Sequence, residues 1–208
     1  MFTAIAFEDT TLECRTHLFS HVLPKALHKS FIPALVEEKI PFQRLFDLAI
    51  TYYYPSMDDA SVFLDVTNDL IRALNVSLSD IACAASENMW SHYDLTPLPD
   101  VINMLDSHSS FYAMGTELYV ATNLTRTNGS GVIASKETLQ VFADRLGSFY
   151  ILPSSIHECI LVPCSSGADA ASLYRMVCEI NAAYTPLEEQ LSDNVYIVGA
   201  DGKIESYL

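Results

Sequence analysis

The stretch that decides the fold reads Phe149-Tyr150-Ile151-Leu152-Pro153-Ser154-Ser155-Ile156-His157-Glu158-Cys159-Ile160-Leu161-Val162. It contains two short runs rich in aromatic and aliphatic residues, 149–152 and 157–162, and such runs are typical of strands. The intervening Pro153-Ser154-Ser155 has residue types that favour a turn. The stretch therefore predicts two neighbouring strands, which we expect to lie in a largely antiparallel sheet.

Helices are predicted on both sides of this strand pair. Before it, Ser135 can cap a helix whose apolar residues share one face and whose end is marked by Gly147. After it, a second helix ends before Pro186 and has apolar residues at steps of four, three and four, namely Leu173, Val177, Ile180 and Tyr184. The segments 195–198 and 203–207 flank a glycine-containing turn and predict a terminal hairpin.

The earlier part of the chain repeats this alternation of strand pairs and helices. Two further pairs of strands are predicted from short apolar and aromatic runs: 45–54 with 60–66, and 118–122 with 131–134. Asn128-Gly129-Ser130 supplies the turn of the second pair. Helices are predicted over 78–90, after the cap Ser77, and over a short segment that follows the connector 96–99 and runs to Leu105.

Residues 1–40 predict a helical N-terminal arm. Asp9-Thr10-Thr11 has the residue types of a helix start, apolar residues follow, and Pro24 prevents a helix from continuing through it. Since no linker rich in Gly, Ser or Pro divides the rest, residues 41–208 are predicted to form a single domain. The predicted fold class is α+β, with a largely antiparallel sheet built from strand pairs alternating with helices, plus the arm.

The charge of the chain limits its partners. With 26 acidic and 11 basic residues the formal charge is −15, which disfavours direct binding to nucleic acid or anionic membranes and favours solubility or a basic protein partner. The apolar runs are far shorter than the roughly 20 residues that span a bilayer, and a secretory signal is not recognisable. Five cysteines without a C-x-x-C pattern indicate reduced thiols. We expect a cytoplasmic protein with no cofactor and no metal.

One cluster, Ser154-Ser155-Ile156-His157-Glu158, combines the groups of nucleophilic catalysis. Residues this close at a turn cannot easily form a relay in which the base contacts both nucleophile and acid, and the G-x-S-x-G elbow is absent. The alternative is a structural turn, in which the Ser154 and Ser155 hydroxyls bond nearby backbone while His157 and Glu158 fix the next strand. Asn128, in the earlier turn, completes the set of candidate site residues.

A second cluster of polar side chains lies near the N-terminus. His17 and His21 stand four apart in a predicted helix, with Glu13 four residues earlier, a spacing that can place metal ligands on one face. The H-E-x-x-H signature is absent, however, and exposed polar positions on an amphipathic helix explain the spacing as well.

Five segments from about Pro41 onward form a recognisable set: 44–50, 118–123 with Asn128-Gly129, 142–147, 150–158 and 188–196. In these segments the chain resembles a family of uncharacterised bacterial proteins, a domain of unknown function common in Gram-positive gut anaerobes and their mobile elements. The resemblance is strongest over Tyr150 to Glu158. It implies a fold and a mobile-element context, but it brings no catalytic residues with it.

Two classes of function follow as hypotheses. The first is a non-enzymatic protein-binding domain, in its specific form an acidic antagonist of a basic nucleic-acid-processing protein of host defence, which the charge and the implied context favour. The second is a hydrolase or small-molecule-binding enzyme that uses Ser154, His157 and Glu158, and it requires these side chains to meet in a pocket. Association with a second copy of the chain is a further alternative.

Overall fold

The structure, a computed structural model, describes residues 2–105 and 117–207. These residues form an α+β fold, as predicted. The helices are α1 (Phe2–His21), α2 (Ile32–Glu37), α3 (Asn68–Leu74), α4 (Leu78–His92), α5 (Leu98–Leu105), α6 (Lys136–Leu146) and α7 (Ala170–Tyr184). The strands are β1 (Leu23–His28), β2 (Gln43–Leu45), β3 (Leu48–Pro55), β4 (Phe63–Asp65), β5 (Tyr93–Pro97), β6 (Tyr119–Asn123), β7 (Phe149–Leu152), β8 (Cys159–Pro163), β9 (Tyr196–Val198) and β10 (Ile204–Ser206).

The larger of two sheets has the strand order β10-β9-β7-β8-β6-β5, and its neighbouring strands are antiparallel. The predicted pair β7 and β8 lies at its centre, with Ile151 opposite Leu161. The C-terminal hairpin of β9 and β10 is also confirmed. At the other edge lies β5, so Thr96 and Pro97 belong to a strand where a connector was predicted. The 149–162 stretch is therefore the centre of this sheet.

Strand β3 is the centre of the smaller sheet. Strands β1 and β2 pair with its two edges, and β4 pairs with its last residues, 53–55. The sequence predicted one strand over 45–54, but the chain reverses at Phe46 and Asp47, where Phe46 has a φ of 54°. This tight turn separates β2 from β3 and places Leu45 opposite Leu48.

The predicted helix ends are confirmed where local capping chemistry sets them. Helix α4 begins with a capping box, in which Ser77 and Asp80 each bond the other's backbone N–H. Helix α6 begins after Ser135, whose hydroxyl accepts the N–H of Thr138 at 3.2 Å, and it ends at Gly147, whose φ is 70°. Helix α7 also lies where it was predicted, and α5 ends at Leu105 as predicted but begins at Leu98, within the predicted connector.

The N-terminal region differs from the prediction in two ways. Helix α1 begins at Phe2, so the predicted start at Asp9 is wrong. Residues 23–28 form strand β1 rather than part of a helical arm, and Pro24 lies opposite Tyr52 of β3. Proline is tolerated there because β1 is an edge strand, in which a residue without an N–H need not break the ladder.

Residues 131–134 do not form the predicted strand. They belong to a 3-10 helix over Gly129–Ala134, and β6 pairs instead with β5 and β8. The helix starts at Asn128, which has a left-handed φ of 55° and accepts the N–H of Gly131 at 3.2 Å. A Cβ on Gly131 would lie 1.9 Å from the carbonyl oxygen of Pro24. The segment packs too closely on β1 for a strand with side chains on both faces.

Both sheets contribute to the main core, together with helices α1, α4 and α6. Its fully buried side chains include Leu18 of α1, Ile81 and Met89 of α4, Phe142 of α6 and Ile151 of β7. Each such side chain contributes about 1.5–3 kcal/mol by leaving water. Tyr52 and Tyr53 of β3 are buried in the same core. In the described part of the chain, no helix combines the length and apolar character that a membrane span needs.

Candidate functional site

The turn 153–158 holds most of the predicted site residues, and hydrogen bonds to backbone fix it in place. The half-buried His157 accepts the backbone N–H of Asn128 at Nδ1, at 3.3 Å. Its carbonyl oxygen accepts the hydroxyl of Thr122 at 2.8 Å. Since Nδ1 is an acceptor, the donor nitrogen of the ring is Nε2. The imidazole therefore anchors the start of the 3-10 helix.

The two serines of the turn are not bonded to this imidazole. The Ser155 hydroxyl accepts the backbone N–H of His157 at 3.1 Å, a local turn contact. Ser154 lines a cavity beside α7, and His157 is not among the residues that line it. Within the described residues, no hydrogen bond joins either hydroxyl or the Glu158 carboxylate to the imidazole. The structure brings His157 and Asn128 together without assembling a serine, histidine and glutamate relay.

The turn and the 3-10 helix interlock at close range. The hydroxyl of Ser130 donates to the carbonyl oxygen of Ile156 at 2.7 Å. A Cβ on Gly129 would lie 2.0 Å from Thr122 Oγ1 and 2.5 Å from the carbonyl oxygen of His157. Glycine is required at 129 because the backbone of the turn approaches it so closely. Two of the segments that resemble the family, 150–158 and Asn128-Gly129, thus pack against each other.

A buried polar network centred on Asn123 joins strands β3 and β6. Asn123 is 1% exposed, and its Nδ2 donates to Tyr53 Oη at 2.9 Å and to the carbonyl oxygen of Thr127 at 2.8 Å. Its Oδ1 accepts from the Thr125 hydroxyl and from the N–H of Thr127. Burial raises the pKa of Tyr53 to about 12, although the bond from Asn123 acts in the opposite direction. The phenol stays protonated, and the network is satisfied internally.

Asp47, in the turn between β2 and β3, ties the smaller sheet to the larger one. Its carboxylate accepts the Tyr196 hydroxyl at 2.5 Å and the Ser192 hydroxyl at 2.7 Å. Burial tends to raise the pKa of Asp47, but hydrogen bonds from Tyr196, Ser192 and Asn194 outweigh it and lower the pKa below its ordinary value. Sequence reasoning missed this contact, since nothing local connects the partners. Its role is to hold the two sheets together.

The ring nitrogens of His17 and His21, near the N-terminus, lie next to backbone carbonyl oxygens. Their rings lie 4.5 Å apart, with His17 Nε2 2.7 Å from the carbonyl oxygen of Pro55 and His21 Nδ1 2.9 Å from that of His17. Across residues 2–105 and 117–207, no group of three or more His, Cys, Asp or Glu side chains could hold a metal ion.

Burial raises the pKa of Cys159 to about 12, so its thiol stays protonated.

The β3–β4 hairpin, residues 48–65, exposes apolar side chains that sequence reasoning treated as part of an ordinary strand. Four of them are between 39% and 48% exposed: Met57, Val62, Phe63 and Leu64. Strand β4 pairs with β3 along one edge, and no strand among the described residues pairs with its other edge. The exposed Asp58, Asp59 and Asp65 lie among these side chains. The signal in the sequence was an apolar run, 62–64, set between acidic residues.

A shallow depression of about 640 Å³ adjoins β4. Its apolar lining includes Ile40, Leu64 and Leu70, and its acidic lining consists of Glu38, Asp65 and Asp69. Lys25 pairs with Asp65, and both Lys39 and Arg72 pair with Asp69. Within the described residues, Glu38, Asp58 and Asp59 take part in no ion pair. The hairpin and the depression therefore form one surface with apolar side chains and an excess of negative charge.

The chain was compared with known proteins. Residues 34–198 match the family of unknown function DUF5688. The match runs from before β2 to the end of β9, so it includes the turn 153–158, the 3-10 helix and the β3–β4 hairpin. No curated protein and no solved structure matches the chain. Because the match extends over most of the 208 residues, the chain belongs to the family of unknown function DUF5688.

Proposed function

We propose that this chain is a non-enzymatic protein-binding domain whose contact surface is the β3–β4 hairpin with its adjoining depression. The observation that carries the proposal is the joint exposure of Met57, Val62, Phe63 and Leu64 beside an unpaired strand edge in the described structure. Contiguous exposed apolar side chains mark interaction sites, and an open strand edge can pair with another chain.

The charges around the apolar side chains select the kind of partner. Asp58 and Asp59 in the loop of the hairpin and Glu38 in the depression take part in no ion pair among the described residues, so a partner with Lys or Arg at its rim would complement them. The net charge of −15 adds long-range attraction for a basic protein and repels nucleic acid. In its specific form, the partner is a basic nucleic-acid-processing protein whose nucleic-acid surface this chain covers.

The hydrolase alternative has weaker support. Its base, His157, bonds the backbone N–H of Asn128, and its nucleophile would need a hydrogen bond to that base. Ser154 lines a separate cavity and Ser155 bonds backbone. The geometry favours a structural role for this cluster.

The proposal is tested by affinity capture with the purified chain as bait, at low and high salt, followed by identification of the eluted protein. The variant Asp58→Lys with Asp59→Lys should lose capture at low salt, whereas Glu179→Lys with Glu188→Lys, which changes the net charge equally, should keep it. Leu64→Ser should weaken capture, while Leu124→Ser, at a more exposed leucine outside the hairpin, should not.

The result expected is one basic nucleic-acid-processing protein, retained in stoichiometric amount at low salt and released at high salt. Capture that is the same for all four variants would contradict the hairpin as the contact surface. Recovery of no partner, from a lysate in which a control bait succeeds, would contradict the protein-binding role itself.

A further inference from the structure

A cavity of about 340 Å³ lies between helix α7 and the larger sheet. Its walls are mainly apolar: Leu173, Val177 and Ile180 line it from α7, and Leu152 and Ile160 line it from β7 and β8. This volume is within the range of pockets that hold small molecules. Both packed layers contribute to the lining, and the cavity is open to solvent on the side of Ile180, which is 43% exposed.

The lining of the cavity extends along helix α7. Its lining residues on α7 follow the helical repeat from Asp169 to Asn181 and include Ser172, Met176 and Val177. These positions lie on one stripe of the helix, at alternating steps of three and one. Twelve residues at about 1.5 Å each give a length of about 18 Å. The lining therefore extends over about 18 Å of α7, and this elongated space, called the slot below, is long enough for an extended chain.

Both ends of the slot are polar. At one end the Asp169 carboxylate accepts the Ser172 N–H at 3.0 Å and hydroxyl at 2.9 Å, and Arg175 donates to the same hydroxyl at 3.2 Å. The carboxylate and the guanidinium offset each other. At the other end, Nδ2 of Asn181 donates to the carboxylate of Asp193 at 2.9 Å. No Lys or Arg is among the described residues that line the slot.

We propose that this slot binds an elongated, uncharged apolar molecule of the class of long-chain alcohols. The alkyl chain packs between α7 and the sheet, and its hydroxyl bonds one of the polar groups at the ends or Ser154, whose side chain also lines the slot. A free carboxylate would have to be buried without a cationic partner, which is unfavourable. The slot and the depression beside β4 share no lining residue, so this site is independent of the protein-binding surface.

The test is binding of dodecanol to the full chain, measured by displacement of the uncharged dye Nile red and by shifts of the α7 methyl signals in NMR spectra. Met176→Trp fills the slot, and Ala183→Trp places the same side chain at an exposed position of α7 as a matched control. We expect saturable binding by the wild type and the control, and binding weaker by roughly tenfold or more for Met176→Trp. Dodecanoate should also bind roughly tenfold more weakly than dodecanol.

Thermal unfolding of each variant shows whether it is folded. If Met176→Trp does not fold, Ile180→Trp replaces it, since Ile180 lies at the rim of the slot with 43% of its side chain exposed. The absence of saturable dodecanol binding to the wild type would overturn the site, and so would unchanged binding to a folded slot-filling variant. Equal or tighter binding of dodecanoate would overturn the assignment of an uncharged ligand.

Discussion

The turn 153–158 and the β3–β4 hairpin both reverse the chain between antiparallel strands, yet they use their side chains in opposite ways. In the turn, His157 and Ser155 bond backbone groups of the chain itself. In the hairpin, Val62 and Leu64 are nearly half exposed. The polar residues of the turn, which resemble catalytic groups, thus maintain structure. The apolar run 62–64 has the features of a binding surface.

This difference has a physical cause. A turn that packs against other segments must satisfy its buried polar groups inside the protein, so its polar side chains are used for that purpose. Strand β4 lies at the edge of the smaller sheet, where its apolar side chains stay partly exposed and gain less from folding than side chains of the core. Their free energy of burial is available to a partner. Substitutions at Gly129 and Leu64 test how sharply the two regions differ, and one at Asp47 tests the contact between the two sheets.

The largest effect is expected at Gly129, where the turn and the 3-10 helix meet. Gly129→Ala should lower the free energy of unfolding by about 3 kcal/mol, because its Cβ would lie 2.0 Å from Thr122 Oγ1 and 2.5 Å from a backbone oxygen. Urea denaturation followed by circular dichroism measures the change.

The matched control for this prediction is Gly167→Ala. Gly167 has a φ of 75°, but no atom of the described residues lies within 4 Å of an added Cβ, so the variant should lose only about 1 kcal/mol to backbone strain. Equal losses for the two variants would mean that the contact between the turn and the 3-10 helix is loose, contrary to the comparison.

An intermediate effect is expected at Asp47, which joins the two sheets. Asp47→Asn should cost about 1.5 kcal/mol at neutral pH, since hydroxyls that donate to a carboxylate form stronger bonds than those that donate to an amide. Because folding lowers the pKa of Asp47, this stability is present above the ordinary pKa of 3.8 and is lost as the pH falls through the folded-state value.

The stability difference between wild type and Asp47→Asn should therefore shrink at a pH below 3.8. Urea denaturation over a series of acidic pH values measures it. Glu179→Gln, at an exposed carboxylate, serves as the control and should show no such difference. A cost for Asp47→Asn that does not depend on pH would show that the carboxylate charge is not what joins the sheets.

The smallest effect on stability is expected in the hairpin. Leu64→Ala should change the free energy of unfolding by no more than about 0.5 kcal/mol, because the side chain already contacts water. Leu161→Ala, at a leucine of β8 that is 1% exposed, should cost about 2–5 kcal/mol under the same conditions. If the two leucines proved equally costly, the hairpin side chains would belong to the core, and their availability to a partner would be lost.

Local chemistry explains which elements could be predicted from the sequence. The capping box of Ser77 and Asp80, the cap Ser135 and the stop at Gly147 act within a few residues, and the structure has them as predicted. The strand pair β7 and β8 also follows from neighbouring runs joined by a short turn. The 3-10 helix at 129–134 could not be predicted, since its conformation depends on close contacts with Pro24 and His157, which are distant in sequence.

The candidate site shows the same division. The sequence predicted a turn at 153–155 and gave a structural turn as one interpretation of the polar residues that follow, because the types of residue in a segment can be read without the fold. Tertiary structure alone brings the Asn128 N–H to His157, joins Asp47 to Tyr196 across 149 residues, and leaves the apolar run 62–64 outside the core. Composition and local spacing determine which groups a segment carries. Packing between distant segments decides which of those groups are satisfied within the chain and which still face outward.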